Sequence, residues 1–442
     1  MIACFAIFLA GVLTCALRGI SLIYPLSLGV VMFFLLGRRK GYPTRDLLRM
    51  GWAKGKNALV IVPVLLLIGV VTALWRASGT IAFFLYHGLQ GISPPLFVLM
   101  AFLLTSLLSF MLGTSFGVIG TGGVILITLA RSGGVDLAIT AGAIISGAYF
   151  GDRCSPMSSC ASLVAVCTNT ELYGNVKEML KTAALPTVLT TVVFGVLSVL
   201  NPLSAADDTL LNALATQYSL HWVVFVPAAL MLLLPLLKIP VKIALAISAV
   251  ISFFITVSLQ KLPLLETLKA ALIGYTPADG ILKDILAGGG LFSMVSVCII
   301  CLLTSFSAGI LEGINALNGI KSWIETLSEK LGLFPACAIL SLIIGCFFCN
   351  QTVIVVMGEQ LLAESYRRRG ASRLELAMDL SNSGVVLAGL IPWSIACSIP
   401  LSMLGVGMEA IPWFLLLYLI PICYLFTKRF FRAGQNRTPE RT

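Results

Sequence analysis

Charge is scarce in this sequence and unevenly placed. Only 11% of its 442 residues are Asp, Glu, Lys or Arg, against roughly a quarter in a soluble domain, so water is not the main solvent for most of the chain. Histidine is nearly absent: His87 and His221 stand far apart, and no HExxH or other acid/base or metal constellation of a membrane enzyme can be assembled from them. Most of the 12 cysteines, such as Cys298, Cys301, Cys337, Cys346 and Cys349, sit inside apolar runs. They read as small buried hydrophobes, with no metal site. A GxxxxGK[ST] loop for nucleotide phosphates is also missing, which argues against an ATP-driven pump. Residues 1–17 carry no charge and continue through Arg18 into a second apolar stretch at 20–36. The basic region of a signal peptide is therefore absent, and 1–37 reads as a retained helical hairpin.

What remains is apolar: 58% of the residues. Long apolar runs recur at 59–75, 96–112, 182–200, 222–237, 291–310, 337–348 and 411–426. One helical crossing of a bilayer takes about 20 apolar residues, so about 11 to 13 crossings or half-crossings fit this length. A transmembrane β-barrel would show short alternating segments instead. The expected fold class is an all-α polytopic membrane protein whose transmembrane helices include broken or re-entrant segments.

A formal net charge of +10 raises the question of nucleic acid, and the positions of the bases answer it. Arg38, Arg39, Lys40, Arg45, Arg49, Lys54 and Lys56 share one loop; Arg367, Arg368, Arg369 and Arg373 share another; Lys428, Arg429, Arg432, Arg437 and Arg441 form the tail. Basic residues in short loops mark the cytoplasmic side. The expected location is a bacterial inner membrane with the C-terminus cytoplasmic. The expected partners are membrane lipid and a small ion or organic-acid substrate, with no nucleic acid; a homodimer is left open.

Two stretches, 107–159 and 342–395, match at a constant offset that lays Gly113-Thr114 on Cys349-Asn350, Arg131 on Arg367, Gly134 on Gly370 and Pro156 on Pro392. The loop at Arg131 is nearly bare of bases while its counterpart holds four arginines, so the two halves are expected to have opposite orientation. Inverted-topology repeats are a signature of secondary transporters. The expected organisation is a hairpin and basic loop at 1–56, a first transport repeat at 57–201, connecting helices at 202–290, a second repeat at 291–427 and a basic tail at 428–442.

Four places interrupt the apolar runs within these repeats, and freed backbone at such breaks can coordinate ions or substrate. The first is Gly113 to Gly117, with Thr114 and Ser115. The second surrounds Asp152, Arg153 and Pro156, with Ser155, Ser158 and Ser159. The third is Cys349, Asn350, Gln351 and Thr352, and the fourth is Ser381, Asn382, Ser383 and Gly384, preceded by Asp379. Asp152 is the leading single candidate, because an ionisable residue inside a membrane is costly; it can hold a cation or carry a proton. Its blander roles are a charge pair with Arg153 or a helix cap. Glu359 reads either as part of the third break or as an interfacial residue near the arginine loop.

At these breaks the sequence resembles the NhaC-type Na+/H+ antiporter family, which also contains malate/lactate antiporters. GTSFG at 113–117 is similar to that family's GTSWG, and GDRCSPMSS at 151–159 to its GD(K)xSPLSD. NQTVIVVMGEQ at 350–360 resembles a stretch containing DQY, and NSGVVLAGLIPWS at 382–394 resembles DSGT…LIPWN. The resemblance implies an alternating-access carrier driven by a Na+ or H+ gradient, without a cofactor beyond those coupling ions. Three acids of the family pattern are neutral here, at Ser159, Asn350 and Asn382, while Asp152 remains. The first expectation is thus a cation-coupled Na+/H+ antiporter rather than an enzyme. The second is an exchanger of a small organic acid or amino acid against H+ or Na+, in which Arg153 would help if it faced the cavity.

Overall fold

The computed structural model describes residues 2–435 apart from 19, 92–93, 204–207, 238, 278–279 and 315–319. Arg437 and Arg441 of the basic tail lie outside the described residues. The described chain is helical almost throughout, which suits a chain solvated by lipid, because a helix satisfies its own backbone groups. Twelve helices build the central region: α1 Thr44–Ala77, α2 Phe97–Leu112, α3 Ser115–Ser132, α4 Leu137–Cys154, α5 Ser159–Thr168, α6 Leu172–Leu200, α7 Val295–Gly313, α8 Leu333–Phe348, α9 Gln351–Arg368, α10 Arg373–Asn382, α11 Ile395–Leu404 and α12 Leu415–Gln435. Ahead of them, Ile2–Leu17 and Ile23–Arg39 form the expected hairpin, joined by Phe8 against Phe33 with ring centroids 5.1 Å apart.

Among the described residues, three helices are long and apolar enough to cross a bilayer unaided: Ser115–Ser132, Leu172–Leu200 and Leu291–Gly313. Three further spans are bent, by 62° after Ala77, by 100° after Gln217 and by 50° after Leu390, while α2 and α8 are apolar but short. Straight spans are fewer than apolar runs because glycines, prolines and caps cut the runs short. The architecture is the polytopic all-α class with broken segments.

Close packing in the first half depends on Gly147 and Gly151 of α4, spaced four apart on one face. A Cβ on Gly151 would run into the backbone of Ser109 and Phe110, and one on Gly147 into the Phe102 carbonyl. The two helices are thus at backbone contact, as small-residue motifs permit in membranes, and the Ser109 hydroxyl donates to the Ala148 carbonyl.

The matched stretches share their backbone conformation point by point. α2 and α8 each end on a left-handed residue, Gly113 at φ 66° and Cys349 at φ 56°. An extended residue follows, Thr114 or Asn350, whose side chain caps the next helix. Gly134 and Gly370 are left-handed at φ 68° and 64°. Asp136 and Ser372 cap α4 and α10, and Ser158 and Ser394, each two residues after a proline, cap α5 and α11. Asn169 and Gly405 then close those helices, again left-handed. All these pairs keep the offset that lays Gly134 on Gly370, with no insertion. The halves part company at Ser383, where φ −122° and ψ −76° end α10; its counterpart Gly147 lies inside the continuous α4.

Candidate ion and substrate site

The left-handed turns at Gly113 and Cys349 stop α2 and α8 and restart the chain as α3 and α9, so two pairs of helix ends meet inside the protein. Between them lies a cavity of about 400 Å³. The first half contributes Thr114, Ser115, Phe116, Gly117, Asp152, Ser159 and Cys160; the second contributes Asn350, Gln351, Thr352, Ile395 and Ala396; Val64 of α1 closes one side. The lining is paired across the halves: Thr114 with Asn350, Ser115 with Gln351, Phe116 with Thr352, Ser159 with Ile395 and Cys160 with Ala396. Asp152 breaks the pairing, because its counterpart Ala388 is fully buried and does not reach the cavity.

The Asp152 carboxyl is neighboured by the side chains of Cys160, Gln351, Ser115 and Ser158. Two of these, the Gln351 amide and the Ser158 hydroxyl, are themselves held in place. Gln351 accepts from the Cys160 thiol at 3.1 Å and donates to the Val385 carbonyl at 2.7 Å. The Ser158 hydroxyl donates to the backbone carbonyl of Asp152 and accepts from Cys160 N at 3.1 Å and Ala161 N at 3.3 Å. The second-half breaks are tied together by Ile395 N donating to Cys349 O at 3.0 Å and by Trp393 Nε1 donating to Cys346 O at 2.9 Å. Helix N-termini carry partial positive charge and C-termini partial negative charge. The starts of α3 and α9, which line the cavity through Ser115 and Gln351, therefore favour an anion at Asp152.

Seven residues singled out from the sequence line this cavity: Thr114, Ser115, Asp152, Ser159, Asn350, Gln351 and Thr352. The other four do not. Ser155 is buried and accepts from Met157 N at 3.1 Å, and Ser158 serves as the cap of α5. Asn382 and Ser383 sit at the end of α10, away from the cavity: Asn382 Oδ1 accepts from Arg153 at 2.6 Å, and Ser383 lies 3.3 Å from Ser341 and donates to the Asp379 carbonyl. Arg153 does not face the cavity either. Its buried guanidinium donates to the Ser381 and Met179 carbonyls at 3.2 and 3.1 Å and to Thr182 at 2.7 Å. Consecutive helical residues point about 100° apart, which is why Asp152 and Arg153 separate; among the described residues no ion pair joins them. Glu359 falls on the side of the arginine loop, bordering a smaller cavity with Glu364, Arg367 and Arg373. Sequence reading missed Cys160, Val64 and Ala396, whose apolar settings carry no signal of a site.

Residues 1–161 and 147–428 match the model of the Na+/H+ antiporter family. The chain is 27% identical over 415 residues to the malate-2H+/Na+-lactate antiporter of Bacillus subtilis, covering 91% of this chain and 89% of that one. It is 26% identical over 390 residues to the Na+/H+ antiporter NhaC of Alkalihalophilus pseudofirmus, covering 85% and 84%. It is also 26% identical over 436 residues to the arginine/ornithine antiporter ArcD of Halobacterium salinarum, covering 94% and 89%. With its broken helices meeting at one intramembrane acid and nearly all of its length matched, this multi-pass membrane chain belongs to the Na+/H+ antiporter family.

Proposed function

We propose that the chain exchanges Na+ for H+ at Asp152, by alternating access of two inverted halves, 57–201 and 291–427, across a bacterial inner membrane. The observation that carries this reading is the meeting of the α3 and α9 starts at a single buried carboxylate. An intramembrane carboxylate is costly unless it is compensated, and either a cation or a proton compensates it, so one group serves two mutually exclusive cargoes. Hydroxyls of Thr114, Ser115 and Ser159 and the Asn350 amide would replace the ion's water shell. The basic residues of the arginine loop and the C-terminal segment support a cytoplasmic side for both. The work is that of a carrier rather than an enzyme, with Na+ and H+ as its coupling ions. In everted vesicles, Na+ should collapse a preformed pH gradient, and Asp152→Asn should abolish the response. A wild-type protein indifferent to Na+ and Li+ sinks the proposal.

A second reading is favoured by the cavity itself. About 400 Å³ exceeds the need of a bare ion and falls within the range of small-molecule sites, roughly 300–1,000 Å³. The lining is neutral apart from Asp152, and the N-termini of α3 and α9 suit a carboxylate group. On this reading a small organic acid or amino acid is exchanged against H+ or Na+. Counterflow of malate, lactate, arginine and ornithine in proteoliposomes decides; with none transported, the second reading fails.

A further inference from the structure

Away from the cavity, α10 carries a second set of buried ionisable groups. Asp379 is fully buried, and its carboxylate accepts from Lys428 of α12, from the Tyr366 hydroxyl of α9 and, at 3.1 Å, from the Tyr424 hydroxyl of α12. Lys428, only 14% exposed, also pairs with Glu375 at 3.1 Å, one turn along α10. Its ammonium lies 5.8 Å from the Phe334 ring centroid and 5.9 Å from that of Tyr366. The Cys337 thiol of α8 faces the same carboxylate.

These charges are not needed to build the helices. At the offset that superposes the two halves, Asp379 corresponds to Ala143, Glu375 to Ile139 and Tyr366 to Ala130, and all three are buried and apolar in the same backbone setting. Replacing a buried ion pair by apolar residues is often neutral or stabilising, so the first half shows the cheaper solution and the second half departs from it. The departure has an outlet toward the cavity. The far end of α10 gives the Ser381 carbonyl and the Asn382 side chain to Arg153, the chain neighbour of Asp152. One ten-residue helix thus holds the Lys428 cluster at one end and the back of the Asp152 site at the other.

We propose that Asp379, with Lys428 and Glu375, is a second proton-binding site of the carrier, whose state reaches Asp152 through α10 and Arg153; this rests on the reading of the chain as a proton-coupled carrier. The geometry suits reversible protonation. When Asp379 takes up a proton, Lys428 keeps a counterion in Glu375, so no ammonium is stranded. The Tyr366 and Tyr424 hydroxyls, donors to the carboxylate, can turn to accept from the carboxylic acid, since a hydroxyl both donates and accepts. The relaxed ion pair then frees α10 to shift against Arg153.

Two measurements test this on the purified full-length chain. Infrared difference spectra between alkaline and acidic pH should show, beside the band that Asp152→Asn removes, a second protonated-carboxyl band that persists in Asp152→Asn and disappears in Asp379→Asn. In proteoliposomes, a one-proton step makes wild-type transport change by about tenfold per pH unit on its proton-limited limb. Asp379→Asn should flatten that limb while Na+ binding in detergent stays within about threefold. The triple variant Glu375→Ile, Asp379→Ala, Lys428→Met, which takes the first-half residues at both acids, guards against misfolding and should be equally flat. A band and a pH profile unchanged in Asp379→Asn and in the triple variant overturn the inference. A wild-type chain indifferent to Na+ defeats the Na+/H+ reading instead, and the carboxyl band still decides this site.

Discussion

The two halves of this carrier use one backbone and two chemistries. The same left-handed turn, extended capping residue and proline-to-serine cap recur in each, yet the first half places its buried acid at the cavity and the second places its buried acids against Lys428. A shared frame with unshared charges separates what the fold requires from what the work requires. Turns and caps recur and so belong to the frame. Asp152, Arg153, Asp379 and Glu375 have uncharged counterparts in the other half, so the frame does not account for them.

The sharpest way to break the comparison is to move the acid. Asp152→Ala should abolish Na+-dependent proton movement, and adding Ala388→Asp at the matched position should not restore it, because Ala388 is sealed from the cavity. Recovery of transport in the double variant would mean that the halves are interchangeable at this point. Next in size is the contact of α2 with α4. Gly151→Val forces a side chain into the Ser109 and Phe110 backbone, where overpacking costs about 1–3 kcal/mol or more, and should remove folded protein as read by monodisperse yield in detergent. The counterpart is already Leu387, so a well-folded Gly151→Val would erase this difference between the halves.

Asn350→Asp adds a carboxylate on the second-half side of the cavity. Na+ binding by calorimetry should tighten about tenfold, equivalent to about 1.4 kcal/mol; unchanged or weaker binding would show that Asn350 is not among the cation's ligands. Smallest is Cys349→Gly, which gives the second half the residue that the first half has at Gly113. A non-glycine residue in the left-handed region costs about 1–2 kcal/mol, partly offset by the extra unfolded-state freedom of glycine. The melting temperature should rise slightly; a fall would show that the buried thiol contributes more than the strain removes.

Much of this was legible in the residues. Apolar runs gave the fold class, and glycine, proline and polar residues inside those runs marked the breaks, because a lipid-solvated helix has few other reasons to carry them. The matched offset, drawn from four weak correspondences, agrees with the paired caps and turns on either side of the break at Ser383. What stayed hidden was direction. Adjacent letters such as Asp152 and Arg153, or Asn382 and Ser383, point to different sides of a helix, and only packing shows which side holds the cavity. The partnership of Asp379 with Lys428 was illegible for another reason: it joins residues 49 positions apart, and a lysine beside a run of bases reads as solvated tail.

That lysine has a practical consequence for handling the protein. Helix α12 continues past Lys428 to Gln435, and Lys428 ties that helix to the core through Asp379 and Glu375. Trimming ahead of Lys428, or fusing a reporter there, would strip Asp379 of its counterion, and removing one partner of a buried pair costs about 3–5 kcal/mol. Affinity tags and fluorescent fusions therefore belong beyond Gln435, and a shortened chain that still melts at the full-length temperature would show that the anchor is dispensable.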